Sequence, residues 1–194
     1  MAAAGFRDVL AYWFGHPDDP CFGKPRVAWF NKDAAADAEI RSRFRALHQW
    51  AHGGLLNAWD EQAESALALT LVLDQFSRQI YRGQSKAFAS DGKALALAEE
   101  ALAAGFDQVL APIQRAFFYF PFEHAESASA QARAVVLFEA LAAEAPELAN
   151  FADYARRHRD VIARFGRFPH RNALLGRANT PEEAEYLAQP GSGF

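Results

Sequence analysis

Seven arginines, Arg156, Arg157, Arg159, Arg164, Arg167, Arg171 and Arg177, fall in one short stretch and face a single acid, Asp160. Counting histidine as neutral, Arg156 to Arg177 carries +6 in a chain whose net charge is -4, so it is a basic island in an acidic protein. His158, His170 and Asn172 stand among the arginines, and Gly166 and Pro169 break the stretch, which cannot be one smooth helix. The island holds no lysine. Guanidinium is the cation suited to bidentate recognition of carboxylate or phosphate and to partial burial. The island therefore meets an anionic ligand or the protein's own carboxylates.

Two further groups could join it. Asp74, Arg78 and Arg82 are spaced four apart in an otherwise apolar segment, which predicts one polar stripe on a buried helix. Read blandly, they are ion pairs that bury their own charge, although desolvation of such pairs is costly. Glu123, His124 and Glu126, with Gln131 beyond, form the acidic counterpart, expected at the start of a long helix where the dipole favours negative charge. Glu123, His124 and His158 are the candidates for moving a proton beside an arginine clamp.

Metal and cofactor chemistry finds little support. Cys21 is the chain's one cysteine, which excludes an internal disulfide and a thiolate cluster. His48 and His52 are spaced as a helical metal pair but lack the glutamate of a zinc protease, and are expected to be a solvent-exposed pair. Phosphate-loop and dinucleotide glycine patterns are absent, and His158-Arg159-Asp160 matches a kinase catalytic loop only in its letters. No cofactor and no metal are expected.

The elements that must hold these residues read as helices. Phe6, Val9, Leu10, Trp13 and Phe14 recur at helical spacing, and Gly15 with Pro17 ends that helix. Asp18 to Pro25 is loop; Trp29 anchors the next segment; Asn31 or Asp33 caps a helix to about Ala51 that Gly53 and Gly54 stop. Glu61 to Tyr81 is apolar on nearly every side, which predicts a centrally buried helix. Ser90 and Asp91 open an Ala/Leu helix closed by Gly105, and Pro112 opens another to about Phe118. Phe120 before Pro121 is expected to be extended, with the next helix running from Glu123 to Glu144. Pro146 starts a helix that runs into the island near Arg164, and Thr180-Pro181-Glu182-Glu183 is a capping box. No segment alternates with period two. The fold class is all-α, with roughly eight helices in one domain over residues 1–194 and a loose tail at 190–194.

The longest apolar run is far shorter than the roughly 18 residues of a membrane span, and no secretory leader is visible at the N-terminus. A cytoplasmic protein is expected. The net charge of -4 argues against general nucleic-acid binding.

Four blocks carry a resemblance: VLAYWFG, then LVLDQFSRQIYRG with AFASD, then FFYFPFEHAES with Gln131, then HRDVIARFGRFPHRNALLGRANTPEEAEYL. In this order, over nearly the whole chain, they resemble a mainly bacterial family defined as a domain of unknown function, DUF924. The resemblance implies a tetratricopeptide-like array of antiparallel helices and no established activity. Its motif residues here are Asp74, Arg78, Arg82, Glu123, His124, Glu126, His158, Arg164, Arg167, Arg171, Asn172 and Arg177. Ser77 stands where the family pattern implies proline, and is expected to straighten the helix there.

The leading expectation is a polar groove for an anionic small molecule or peptide. Arg78, Arg82, Arg164, Arg167, Arg171 and Arg177 donate, Asn172 adds a neutral hydrogen bond, and Asp74, Glu123 and Glu126 hold the arginines. The alternatives are a hydrolase using Glu123, His124 or His158, and an internal charge network in a protein-interaction module.

Overall fold

The computed structural model describes residues 4–16, 18–20 and 22–193. Pro17 and Cys21, singled out above, and Phe194 of the tail lie outside them. The first helix, α1 (Phe6–Phe14), buries Val9, Trp13 and Phe14 and ends at Gly15, whose φ of 86° is left-handed. Arg26 reaches back to that end and donates to the Phe14 carbonyl at 2.7 Å. The second, α2 (Ala34–His52), is capped by Asp33, which accepts from the Ala35 amide at 2.8 Å. Its buried Ile40, Phe44, Leu47 and Ala51 lie three and four apart, a single apolar stripe.

The rod at the centre is α3 (Ala63–Leu71), a π-turn (Val72–Phe76) and α4 (Ser77–Ile80) in unbroken succession. Every residue from 65 to 77 is buried, as its all-round apolar sequence requires. The π-turn widens the backbone at the point where Asp74 and Gln75 enter the core. Ser77, immediately after it, does not straighten a regular helix. Its hydroxyl donates to the Ala87 carbonyl at 3.0 Å, tying down a 3-10 turn at Ser85–Phe88.

The rest of the chain is α5 (Asp91–Ala103), α6 (Pro112–His124), α7 (Ala128–Glu144), α8 (Ala149–Phe165) and the short α9 (Pro181–Leu187). From α5 to α8 each helix packs on its successor, and the rod meets α1, α2, α5 and α6. Counting the rod as one, the described residues form eight helices and no strand. The all-α class stands.

One boundary differs from the sequence reading. Helix α6 continues through Pro121 and ends at His124, while Ser127 caps α7. Proline lacks the amide for its turn, but Phe117, Phe118, Phe120 and Phe122 are all buried around it, and their packing outweighs the lost bond. Phe117 lies 4.9 Å from Trp29 and Phe120 5.3 Å from Phe151, ring centre to ring centre. Glu123 and His124 thus sit at a helix C-terminus, where the dipole no longer favours a carboxylate.

Candidate functional site

Asp74 is carried into the core by the π-turn and is 1 % exposed. Its two oxygens face Nδ1 of His124 at 2.8 and 3.0 Å, one accepts from Gln75 at 2.8 Å, and Arg78 stands 3.4 Å away. Burial alone pushes the Asp74 carboxyl up, but His124 and the Arg78 guanidinium outweigh it and hold the pKa at about 2. For His124, burial and the Arg78 charge depress the imidazole against the pull of Asp74, so the ring is neutral near pH 7. A carboxylate only accepts, which places the ring proton on Nδ1. Asp74 and His124 are an oriented acid–imidazole pair.

Arg78 continues the chain of contacts to Asp91, the first residue of α5, at 3.2 Å. Arg171 meets the same Asp91 oxygen at 3.2 Å and donates to the His124 carbonyl at 3.0 Å. Its guanidinium lies over Phe88 and Phe168, 4.7 and 4.4 Å from the ring centres. Burial, with Arg78 beside it, lowers the Arg171 pKa to about 10, still charged near neutrality. The rod, the Ser85–Phe88 turn, α5, the end of α6 and the island thus converge.

They border an open cavity of about 550 Å³, walled by Phe88, Leu95 and Leu175 on its apolar side and by Lys86, Asp91, His124, Glu126 and Arg171 on its polar side. Arg78 Nη1, Arg171 Nε and Asp91 Oδ1 are buried and have no hydrogen-bond partner among the described residues. Such atoms are uncommon in folded proteins. The N-terminus of α5 is also uncapped by its own Ser90, whose hydroxyl turns instead to His48 Nε2 at 3.2 Å and His52 Nδ1 at 3.0 Å. Gly92, in the first turn of α5, lines the cavity, and an added Cβ there would meet nothing within 4 Å.

Behind His124, Glu123 is 2 % exposed with one oxygen 3.3 Å from His158 Nδ1 and the other without a hydrogen-bond partner. Burial raises its pKa well above the usual carboxylate range, and Asp74 adds to the rise against the pull of Arg78. Burial lowers His158 to about 3, and its Nδ1 meets the Tyr154 carbonyl at 2.9 Å. Gln131 of α7 fastens the end of α6 by donating to the Glu123 and Ala125 carbonyls at 2.6 and 2.9 Å.

The remaining island residues meet protein carboxylates. Arg177 clamps Glu126 at 2.7 and 2.9 Å, and Asn172 accepts from Arg177 at 2.9 Å. Arg167 clamps Glu183 at 2.6 and 2.8 Å, and Arg164 meets Glu182 at 2.8 Å on the surface. Arg82 follows the end of α4 at Ile80, so it leaves the stripe of Asp74 and Arg78 and pairs with Asp37 of α2 at 2.8 Å. Of the sequence-derived set, Asp74, Arg78, His124, Glu126 and Arg171 gather at or beside the cavity. Glu123 and His158 lie behind it. Arg82, Arg164 and Arg167 lie elsewhere, and Asn172 and Arg177 brace its rim.

Asp91 and Phe88 were not marked by sequence. Asp91 read as a helix opener, and only the fold brings it between two arginines from distant segments. His48 is not solvent-exposed as expected: it is buried against Ser90, and burial and His52 lower its pKa to about 4. No group of three or more His, Cys, Asp or Glu among the described residues could hold a metal ion. None of the helices described is long and apolar enough to cross a membrane.

Fold and site define an all-helical domain built around a buried acid–imidazole pair. Residues 9–191 match the family described as bacterial protein of unknown function (DUF924), and the chain belongs to it. A solved structure of a protein of unknown function from Agrobacterium tumefaciens is similar, with 42% identity and a TM-score of 0.83 over 94% of this chain and 96% of that one. No curated protein matches.

Proposed function

We propose that this protein binds an anionic small molecule, or the terminal carboxylate of a peptide, in the cavity beside Arg171. The observation that carries the reading is the Arg171 side chain itself. It is 6 % exposed, forms part of the cavity wall, and has an Nε without an acceptor. Burying a guanidinium with an unused donor is costly. A carboxylate or phosphate in the cavity beside the guanidinium offsets part of that cost through its charge, and the uncapped first turn of α5 adds backbone amides and a favourable dipole. Lys86 supplies a further charge at the wall. The volume suits a small metabolite.

Calorimetric titration with phosphate, succinate, malate and short peptides tests this. At least one anion is expected to bind the parent protein and to lose binding in Arg171→Gln. The absence of binding by every one of them to a folded parent would end the reading.

A further inference from the structure

We infer that the anion taken by this cavity carries a hydroxyl beside its acidic group, and that His124 accepts the hydrogen bond from that hydroxyl. The inference rests on the anion-binding reading and adds to it the chemical class of the ligand.

The argument starts from the ring's two nitrogens. Nδ1 lies between both Asp74 oxygens, which can only accept, so it carries the proton. Nε2 is then a lone pair, and His124 lines the cavity. Rotation of the ring would put that lone pair against a buried carboxylate, so the acceptor is locked. An oxygen of an ionised carboxylate or phosphate brought to Nε2 would set acceptor against acceptor. The group that belongs there is a donor.

Asp91, also in the wall, adds negative charge and no donor. Asp91 Oδ1 has no hydrogen-bond partner, while Oδ2 of the same carboxylate is already shared by Arg78 and Arg171. The cavity thus offers positive charge on the Arg171 side and an unused acceptor at His124. An ammonium would satisfy the acceptor but would lie among Arg78, Arg171 and Lys86 with the Asp91 charge already engaged. A neutral hydroxyl meets the acceptor without that repulsion. Hydroxy acids and phosphorylated polyols present this combination.

The test compares ligands that differ by one hydroxyl: malate against succinate, and glycerol 3-phosphate against propyl phosphate, with aspartate as the amino counterpart. Affinities are measured by calorimetry for the parent and for His124→Asn. The asparagine amide keeps a donor for Asp74 and removes the Nε2 acceptor. In the parent, the hydroxylated member of whichever pair binds is expected to bind roughly tenfold more tightly, the discrimination of one well-placed hydrogen bond. In His124→Asn the two members become equal. If parent affinities within each pair are equal, the hydroxyl class is wrong and anion binding stands. Aspartate binding more tightly than malate overturns it in favour of an ammonium. A preference that survives in His124→Asn removes His124 from the role. If none of the five binds and the wider anion screen also fails, the anion reading itself falls, and this inference with it. Should the variant misfold, the parent comparison alone decides the ligand class.

Discussion

One oxygen of Asp91 lies 3.2 Å from a guanidinium nitrogen of Arg78 and 3.2 Å from one of Arg171, joining the central rod to the basic island. Arg78 has Asp74 as a second carboxylate, whereas Arg171 has otherwise only a carbonyl and two aromatic faces. Among the described residues Asp91 is the carboxylate paired directly with Arg171, with Glu126 and Asp74 acting on it from further off.

Replacing Asp91 by asparagine removes that counterion and leaves a buried cation. A loss of about 3 kcal/mol in unfolding free energy is expected, the usual scale for breaking a buried pair from one side. Added phosphate is expected to restore part of it by taking the vacated place. Urea unfolding with and without phosphate measures both, and a variant as stable as the parent would show that Asp91 does not balance the arginines.

Arg167 and Arg171 should separate cleanly. Arg167→Ala strips the clamp from the buried Glu183 and is expected to lower Tm by several degrees while leaving anion affinity intact. Arg171→Gln should remove anion binding. Calorimetry on the two variants decides, and loss of binding in Arg167→Ala would move the site towards α9.

Acid should unfold this protein early. His48 and His170, lowered to about 4, and His158, lowered to about 3, stay neutral in the fold, whereas the unfolded chain protonates each near 6.5. The unfolded state then binds more protons as pH falls from 6.5 towards 4. Stability declines through that window by up to about 1.4 kcal/mol per pH unit for each histidine, and is fully present above it. His48→Gln, which keeps an acceptor or donor for Ser90, should reduce the slope by one such histidine in denaturation curves at stepped pH.

Glu123 works on the opposite side. Burial holds its carboxyl pKa well above the 4.5 at which the unfolded chain ionises it. The folded state holds the extra proton above that value, so stability falls as pH rises until the raised pKa is passed. Glu123→Gln is expected to flatten this loss and to exceed the parent in stability at pH 8. Equal pH profiles would mean that Glu123 is ionised in the fold.

Local signals were legible where local chemistry sets the structure. The Asp33 cap, the Thr180 capping box with Glu183, the Gly15 stop and the buried rod all follow from neighbours in sequence. Pro121 misled because four buried phenylalanines hold α6 together across it, a tertiary effect absent from the dipeptide. The π-turn has no distinct residue pattern, so the four-apart spacing of Asp74, Arg78 and Arg82 suggested one stripe where the helix end sends Arg82 to Asp37. His48 looked exposed, as His52 is, because the serine that covers it, Ser90, lies about forty residues away. Charge composition found the island but could not divide it. Which arginine meets a carboxylate and which faces a cavity depends on partners from α5, α6 and α9.

The Glu126–Arg177 clamp fastens the segment that carries Arg171 to the link between α6 and α7, made much earlier in the chain, while the Glu183–Arg167 clamp ties the turn ahead of it to α9, made later. During synthesis the ribosome delivers Asp74, Asp91 and His124 well before Arg171 and the clamps that seat it. A nascent chain can thus fold its rod and α5 to α7 while the cavity still lacks a wall. The wall is completed only once Arg171 and Arg177 have been made, and a product shortened before Arg171 would retain much of its helix yet lack that wall.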